Sequence, residues 1–114
     1  MARFTILTAT RGRPGVLREA LRSSLAQDFT DFEHIVVDDG SDDDGARRVV
    51  EELKDPRIRL LRLDASRGPA GARNKGLAEA RGEICAVLDD DDLMLPGRLS
   101  ATAAAFDARP DAVL

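Results

Sequence analysis

The chain has 114 residues, of which 43% are hydrophobic and 33% charged, and its formal net charge is −4. This length and apolar content suit one domain with a buried core, and the acidic balance argues against a general nucleic-acid binder, which needs a basic stripe to neutralise phosphates. No apolar stretch approaches the ~20 residues that cross a bilayer, so we expect a cytoplasmic protein, or one that regions outside these residues hold at the inner membrane face.

Short apolar runs alternate with amphipathic stretches along the chain, which is the pattern of parallel strands joined by crossover helices. In the first half we predict a strand over residues 4–9, a helix over 14–27, a strand over 33–37 and a helix ending near Lys54. Asp42, Asp43 or Asp44 is expected to cap that second helix, because short polar side chains satisfy the first free N–H groups.

The second half continues the same alternation. We predict an edge strand over residues 57–63 with a wet face, a helix over 69–81, a central strand over 83–88 and a helix over 96–108, with a further strand beginning at 111–114. Gly82 is expected to end the third helix in a left-handed conformation. The predicted fold class is therefore α/β: a Rossmann-like, open, mainly parallel sheet with helices on both faces.

The single cysteine and the single histidine are both predicted to be structural. Cys85 lies in an apolar run, where a free cysteine usually packs as a small hydrophobic residue, and one cysteine forms neither an intrachain disulfide nor a thiolate zinc site. His34 lies inside a predicted strand without partner ligands nearby in the sequence, so a catalytic role is not expected.

Polar residues follow three of the predicted strands. Thr8 and Arg11 come at the end of the first strand, Asp38 and Asp39 at the end of the second, and the run of residues 89–92 at the end of the fourth. In an open parallel sheet, ligands bind outside the carboxyl ends of the strands. These side chains are therefore expected to share one cleft.

The run of four aspartates at residues 89–92 carries the clearest chemical signal. Neighbouring carboxylates repel one another, so the run must be solvated, protonated or bound to a cation. Mg²⁺ or Mn²⁺ would accept carboxylate oxygens and use further positions for phosphates. The run therefore predicts a divalent metal and a phosphorylated ligand, and the plainer alternative is a solvated turn that caps the following helix.

Two further segments have both a structural and a functional interpretation. The segment VVDDGSDD, which contains Asp38 and Asp39, makes a turn and a helix start, but a carboxylate there could also accept an imide N–H from a base. The segment GPAGARNKG opens a helix with small residues. It matches neither the P-loop spacing GxxxxGK(S/T) nor the dinucleotide-binding spacing GxGxxG. Its Arg73 is a candidate for contact with a base edge or a phosphate.

Five segments in this order resemble the N-terminal, nucleotide-binding half of family 2 glycosyltransferases with the GT-A fold: ILTATRGRP, QDF, FEHIVVDDGSDD, GPAGARNKGL and ARGEICAVLDDDDLMLP. The resemblance covers essentially the whole chain. It implies a nucleotide-sugar donor, most often a UDP-sugar, a divalent metal (Mn²⁺ or Mg²⁺) held through a DxD motif, and an acceptor that is a glycan, a lipid or a protein. The acidic charge balance leads us to expect no nucleic-acid partner.

The resemblance also implies roles for individual residues, carried over by their position in the motifs. Asp39 is expected to contact the uracil imide, with Asp38 supporting its loop. Arg73 is expected to help hold the nucleobase region, and Thr8 and Arg11 are expected to lie in the first donor-site loop.

The aspartate run corresponds to the DxD motif in this resemblance. Asp91 is the first choice for the metal ligand and Asp89 the second, and Asp89 or Asp90 is expected to reach the ribose side. Many family members have Asn before the first arginine, whereas this chain has Thr10. That departure leaves the local support of Arg11 open.

An inverting transfer needs a carboxylate base that deprotonates the acceptor hydroxyl, and the resemblance places that base beyond Leu114. Residues 1–114 are thus expected to form a single nucleotide-sugar-binding domain without a catalytic residue of its own, and so to be inactive alone. An apolar edge left by the absent acceptor-binding half could be covered by a second copy in a homodimer.

Two other functions remain as alternatives. A receiver-like signalling module would bind Mg²⁺ and accept a phosphoryl group on an aspartate, but it needs an aspartate pair near the first strand, where this chain has Thr8 and Arg11. A sugar-phosphate nucleotidyltransferase needs a glycine-rich basic loop after the first strand. The segment GRPG at residues 12–15 imitates that loop only loosely.

Overall fold

The computed structural model describes residues 2–109, so the strand predicted at 111–114 lies outside the described residues. Strands and helices alternate along this part of the chain, in the order β1 (Phe4–Thr10), α1 (Pro14–Leu25), β2 (Phe32–Asp38), α2 (Gly45–Leu53), β3 (Ile58–Arg62), α3 (Gly68–Glu79), β4 (Ile84–Val87) and α4 (Arg98–Ala108). Each predicted element within this range is present.

The four strands form one parallel sheet with the order β3-β2-β1-β4. In its register Thr10 pairs with Asp38, and Asp38 pairs with Arg62, so the strands β1, β2 and β3 end side by side. Leu7 pairs with Val87 at the end of β4. The predicted fold class and the edge position of β3 are confirmed.

Helices cover both faces of the sheet. On one face, α3 packs Ala72 against Leu7, Ile35 and Val37. On the other face, α1, α2 and α4 supply the apolar residues of two clusters, which include Ala20, Leu17, Leu21, Val49, Leu99 and Ala103 together with the strand residues Phe4, Ile6 and Val36. The central strands β1 and β2 are therefore buried from both sides, together with their polar side chains Thr5, Thr8, Glu33 and His34.

The prediction that the fourth strand is central was wrong within the described sheet, because β4 lies at the edge beside β1. Burial alternates along β4, and Cys85 and Val87 are exposed. The prediction that Cys85 packs in the core was also wrong. The reason is that α3 packs on β1 and β2, so the outward side chains of β4 lie beyond the helix layer. Whether a second copy covers this edge stays a prediction.

The predicted glycine cap of the third helix was wrong. Helix α3 ends at Glu79, its C-terminal cap Ala80 is extended, and Gly82 does not have a positive φ. Gly82 serves close packing instead, because a Cβ atom there would lie 2.4 Å from the carbonyl carbon of Phe4 and from the nitrogen of Thr5. Glycine is therefore required at this position by the approach of two backbones.

The first helix ends earlier than predicted, whereas the second begins directly after Asp44 and ends at Leu53, next to the predicted end at Lys54. Helix α1 ends at Leu25, and the side chain of Gln27 bonds the carbonyl of Leu95 and the N–H of Leu99, which joins α1 to α4. Asp44 occupies the N-cap position of α2 without a side-chain cap bond. Asp43 accepts the N–H of Gly45 at 2.9 Å instead, so one of the three candidate aspartates serves the start of this helix.

His34 is a buried structural residue, as predicted. Its Nδ1 and Nε2 atoms each lie 2.8 Å from a hydroxyl, that of Ser24 and that of Thr8. Because Ser24 donates to the carbonyl of Leu21, it accepts from Nδ1–H, and Nε2 then accepts from Thr8. Complete burial lowers the pKa of His34 to about 3, so the ring stays neutral and joins β1, β2 and α1.

Across residues 2–109 the structure contains no helix with the length and hydropathy needed to span a bilayer.

Gly76 sets the distance between α3 and the sheet, and we predict that Gly76→Ala destabilises the protein. Its Cβ would lie 2.1 Å from Cδ1 of Leu7 and 3.2 Å from Cγ2 of Val37. Overpacking of this kind costs about 1–3 kcal/mol, which exceeds the ~1 kcal/mol that alanine gains in helix propensity. Urea unfolding should show the loss, whereas the control Gly15→Ala, with no atom within 4 Å of its Cβ, should leave stability unchanged or raise it.

Acid should destabilise the fold through His34 before the carboxylates titrate. The unfolded ring binds a proton near pH 6.5 and the folded ring only near pH 3, so the unfolded state binds more protons throughout this interval. We expect the contribution of neutral His34 to the free energy of unfolding to be complete above pH 6.5. Below that pH the free energy of unfolding should fall by about 1.4 kcal/mol per pH unit. Urea titrations at pH 7.5, 6 and 5 measure this slope, and a flat profile over that range would contradict the assignment.

Candidate functional site

A cleft of about 360 Å³ opens at the carboxyl edge of the sheet. The loops after β1, β2 and β4 and the start of α3 contribute its walls. Its lining residues are Ala9, Thr10, Arg11, Arg13, Asp39, Pro69, Arg73, Asp89, Asp90 and Asp91. The expectation that polar residues from three strand ends share one cleft therefore agrees with the structure.

Two of the predicted site residues do not line this cleft. Thr8 lies inside β1, is fully buried and bonds His34, so the expectation that it lies in the donor-site loop differs from the structure. The strand extends to Thr10, one residue further than predicted, and the loop begins at Arg11. Asp38 ends β2 and is also buried behind the cleft wall.

Asp38 and Arg62 together hold the loop that follows β2. The Oδ1 atom of Asp38 accepts the N–H of Ser41 at 3.1 Å, and its Oδ2 atom lies 3.8 Å from Nε of Arg62. Arg62 also donates to the carboxylate of Asp44 and to the carbonyls of Ser41 and Asp43. The sequence did not single out Arg62, which supplies a positive charge to the acidic stretch at 38–44.

Asp39 faces the cleft with a carboxylate that the next loop orients. Its Oδ1 atom accepts the N–H of Arg67 at 2.7 Å, and its Oδ2 atom accepts the hydroxyl of Ser66 at 2.8 Å. Burial works to raise the pKa of Asp39, but these hydrogen bonds, the N–H of Gly68 and the charge of Arg11 outweigh it, and the net pKa is lowered. The carboxylate is therefore ionised, and each oxygen keeps a lone pair for a further donor.

Asp90 is the buried member of the aspartate run, with 5% of its surface exposed. Thr10 donates its hydroxyl to Oδ2 of Asp90 at 2.8 Å, and Arg13 donates from Nε to Oδ2 and from Nη2 to Oδ1. The bond to Asp90 is the main cause that raises the pKa of Arg13. Thr10 thus supports Asp90.

The other aspartates of the run are more exposed. The side chains of Asp89 and Asp91 keep 58% and 55% of their surface, with Asp89 3.4 Å from Nη2 of Arg73 and Asp91 3.6 Å from Nη2 of Arg13. The N–H of Asp92 donates to the carbonyl of Asp89 at 3.1 Å and closes a turn, and Asp92 itself accepts the N–H of Leu93.

Three guanidinium groups and four carboxylates therefore share the cleft, those of Arg11, Arg13, Arg73, Asp39, Asp89, Asp90 and Asp91. Arg13 was missed by the sequence reasoning, although it follows the same strand end as Arg11. Its partner Asp90 is 77 residues away in the chain, and no local pattern reports such a pairing.

The cleft fits a metal that is shared with a ligand. Among residues 2–109 no group of three or more His, Cys, Asp or Glu side chains forms a ready-made metal cage. Mg²⁺, however, is commonly held by one or two carboxylates and completes its shell with waters and substrate phosphates. Asp89 and Asp91 are the two exposed carboxylates of the run that line the cleft, so they could serve this purpose.

Comparison with known proteins gives relatives over most of the chain. The ExoO protein of succinoglycan biosynthesis from Rhizobium meliloti is 42% identical over 91% of this chain and 30% of its own length. The GalNAc(5)-diNAcBac-PP-undecaprenol beta-1,3-glucosyltransferase of Campylobacter jejuni is 42% identical over 88% of this chain and 33% of its own length. The chain thus spans about a third of the length of these relatives.

Solved structures have the same fold. The crystal structure of S. aureus TarS 1–349 in complex with UDP-GlcNAc is 30% identical, with a TM-score of 0.87 over 96% of this chain and 32% of that one. The mannosyltransferase PcManGT from Pyrobaculum calidifontis, in complex with GDP-Man and Mn²⁺, is 31% identical, with a TM-score of 0.81 over 95% of this chain and 33% of that one. The Rossmann-like sheet is thus of the GT-A type.

The model of glycosyl transferase family 2 matches residues 5–114, which is nearly the whole chain. The sequence resemblance, the parallel sheet and the cleft at its carboxyl edge agree with this match. The chain belongs to glycosyl transferase family 2.

Proposed function

We propose that this chain is the donor-binding part of an inverting glycosyltransferase that transfers a sugar from a nucleotide-sugar, in the first place a UDP-sugar, with the help of Mn²⁺ or Mg²⁺. The observation that carries the proposal is the distribution of carboxylates in one cleft: an oriented one from β2 and two accessible ones from the run after β4. The similar structures with UDP-GlcNAc and with GDP-Man and Mn²⁺ support it.

The β2 side of the cleft is the proposed base site. An ionised carboxylate only accepts hydrogen bonds, so Asp39 selects a base edge that donates, such as the imide N–H of uracil. Its oxygens are already oriented by Ser66 and by the N–H of Arg67, so little ordering remains to be done on binding. Arg11 and Arg73 line the same cleft and are proposed to hold the nucleobase region and its neighbouring phosphates.

The β4 side of the cleft is the proposed metal and diphosphate site. Asp91 is the first proposed ligand and Asp89 the second, because their side chains are half-exposed while Asp90 is buried. A metal bound there would supply positive charge against the diphosphate that leaves the sugar. Asp89 also lies beside Arg73, within reach of a donor that extends along the cleft.

No cleft carboxylate is proposed as the general base. Asp90 is bonded to Thr10 and Arg13, and Asp89 and Asp91 are assigned to the metal. The base that accepts the acceptor's hydroxyl proton is proposed to come from another part of a longer protein, since the relatives are about three times as long. The name of one relative contains a lipid-linked undecaprenol glycan, which makes such an acceptor one of the possibilities beside other glycans and proteins.

Asp91→Asn should remove most of the metal dependence of UDP binding. The amide loses the negative charge that attracts a divalent cation, so we expect the gain in UDP affinity on adding Mn²⁺ to fall by about tenfold or more, which corresponds to ~1.4 kcal/mol. Calorimetric titration with UDP, in Mn²⁺ and in EDTA, measures this gain. The matched control is Asp92→Asn, in which the lost carboxylate bonds Leu93 outside the cleft lining. Equal metal dependence in wild type and Asp91→Asn would reject the metal assignment.

Asp39→Asn should weaken UDP binding without changing its metal dependence. A hydrogen bond to a charged group contributes about 1.5–3 kcal/mol, so we expect UDP affinity to fall by roughly 10–100-fold in Mn²⁺ and in EDTA alike. Uridine should lose affinity to a similar degree, because it keeps the base and lacks the diphosphate. Asp42→Asn, an exposed carboxylate in the same loop, is the control. Unchanged uridine binding by Asp39→Asn would place the base elsewhere.

A further inference from the structure

Arg13 is bound to the aspartate run in a way that the proposed donor site does not require. Its guanidinium forms a two-point contact with Asp90 through Nε and Nη2, while Nη2 also lies 3.6 Å from Oδ2 of Asp91. Planar guanidinium and carboxylate groups match each other at two points, and this fixes their mutual orientation as well as their distance. Arg13 itself stands at the N-cap position of α1, directly before Pro14.

Both carboxylate oxygens of Asp90 already accept hydrogen bonds from the protein, one of them from two donors, so a metal would have to compete with these donors. Asp90 is 5% exposed, and the donors are Thr10 and Arg13. Removing one of these donors would leave a buried carboxylate without its partner, which is strongly unfavourable. Asp90 is therefore held in one position by Thr10 at the end of β1 and by Arg13 at the start of α1.

Holding Asp90 also determines where its neighbours lie. Asp89 and Asp91 flank it directly, and the bond from the N–H of Asp92 to the carbonyl of Asp89 closes residues 89–92 into one turn. All three side chains line the cleft, but those of Asp89 and Asp91 are half-exposed, whereas Asp90 is buried against Thr10 and Arg13. Because the turn is anchored at Asp90, it presents the carboxylates of Asp89 and Asp91 in a reproducible arrangement.

We propose that Arg13 is a positioning residue for the metal end of the donor site: acting through Asp90, it holds Asp91 and Asp89 where a divalent cation and the diphosphate can share them. The proposal rests on the proposed function. It assigns Arg13 a role in the orientation of the metal ligands and no contact with the base. Thr10 has the same role from the strand side, since its hydroxyl bonds the same oxygen of Asp90.

Whether removal of the Arg13 guanidinium strengthens or weakens Mn²⁺ binding distinguishes a positioning role from a simple effect of charge. Arg13 carries a positive charge close to Asp91, so its removal by itself would strengthen the binding of a cation. Loss of orientation would weaken it. Arg13→Met keeps the apolar stem without the guanidinium, and the double variant Arg13→Met with Asp90→Asn leaves the net charge of the cleft equal to that of the wild type.

The test is the ratio of UDP affinities in Mn²⁺ and in EDTA, measured by calorimetry, together with Mn²⁺ binding followed by electron paramagnetic resonance. We expect this ratio to fall by about tenfold in Arg13→Met and to stay low in the double variant, with Arg13→Lys between wild type and Arg13→Met because lysine keeps the charge but not the two-point geometry. Arg18→Met, which removes an arginine paired with Glu52 on the outer side of the same helix, should leave the ratio unchanged.

The outcomes that overturn the proposal are distinct. A stronger Mn²⁺ dependence in Arg13→Met, with a wild-type ratio in the double variant, would show that only charge matters. An equal loss of UDP affinity in Mn²⁺ and in EDTA would show that Arg13 acts on the nucleotide or on the fold. If the wild type binds UDP with Mn²⁺ and the ratio does not change, this inference alone fails. If the wild type does not bind UDP at all, the proposed function fails and the inference with it.

Discussion

The parallel pairing of β1 with β2 on one side and β4 on the other is the constraint on which the cleft depends. It brings the carboxyl ends of three strands to one edge, where each chain direction must change, and the polar residues that follow the strands meet there. Helices on both faces bury β1 and β2, whose inner polar side chains bond one another, as Thr5 bonds Glu33, and the polar side chains that line the cleft lie at the strand ends. The imidazole ring of His34 inside this core is neutral, bonds Thr8 and Ser24, and joins β1 and β2 to α1.

The second feature that organises the site is the supply of arginines to both acidic stretches. Arg62 reaches from β3 to Asp38 and Asp44, and Arg13 reaches from the start of α1 to Asp90. In each stretch the buried carboxylate at the strand end has donors from elsewhere in the chain, whereas Asp89 and Asp91 remain half-exposed. This division answers the question of how so many negative charges tolerate one another at the edge of the sheet. It also separates aspartates that hold the structure from those that remain available to a ligand.

The order of elements and the fold class follow from hydrophobic periodicity, and six of the eight predicted site residues line the cleft: Arg11, Asp39, Arg73, Asp89, Asp90 and Asp91. What periodicity does not report is which strand lies next to which. An apolar run suggests a central strand, yet β4 is at the edge of the described sheet and Cys85 is exposed. Contacts between distant residues were equally invisible, since the partners of Asp90 are 77 and 80 residues away and those of Asp39 are 27 and 28. Gly82 was wrongly assigned to a helix cap. A helix cap and a close approach of two backbones both favour glycine, so the residue type alone does not distinguish them.

We propose that one cleft binds the base at Asp39 and the metal and diphosphate at Asp91 and Asp89. A crystal structure of the protein with UDP and Mg²⁺ tests it most directly. We expect the uracil imide within hydrogen-bond distance of Asp39, and Mg²⁺ at about 2.1 Å from a carboxylate oxygen of Asp91, with Asp90 still bonded to Arg13 and Thr10. A nucleotide bound away from this edge of the sheet, or a metal coordinated by Asp90 after release of Arg13, would contradict it.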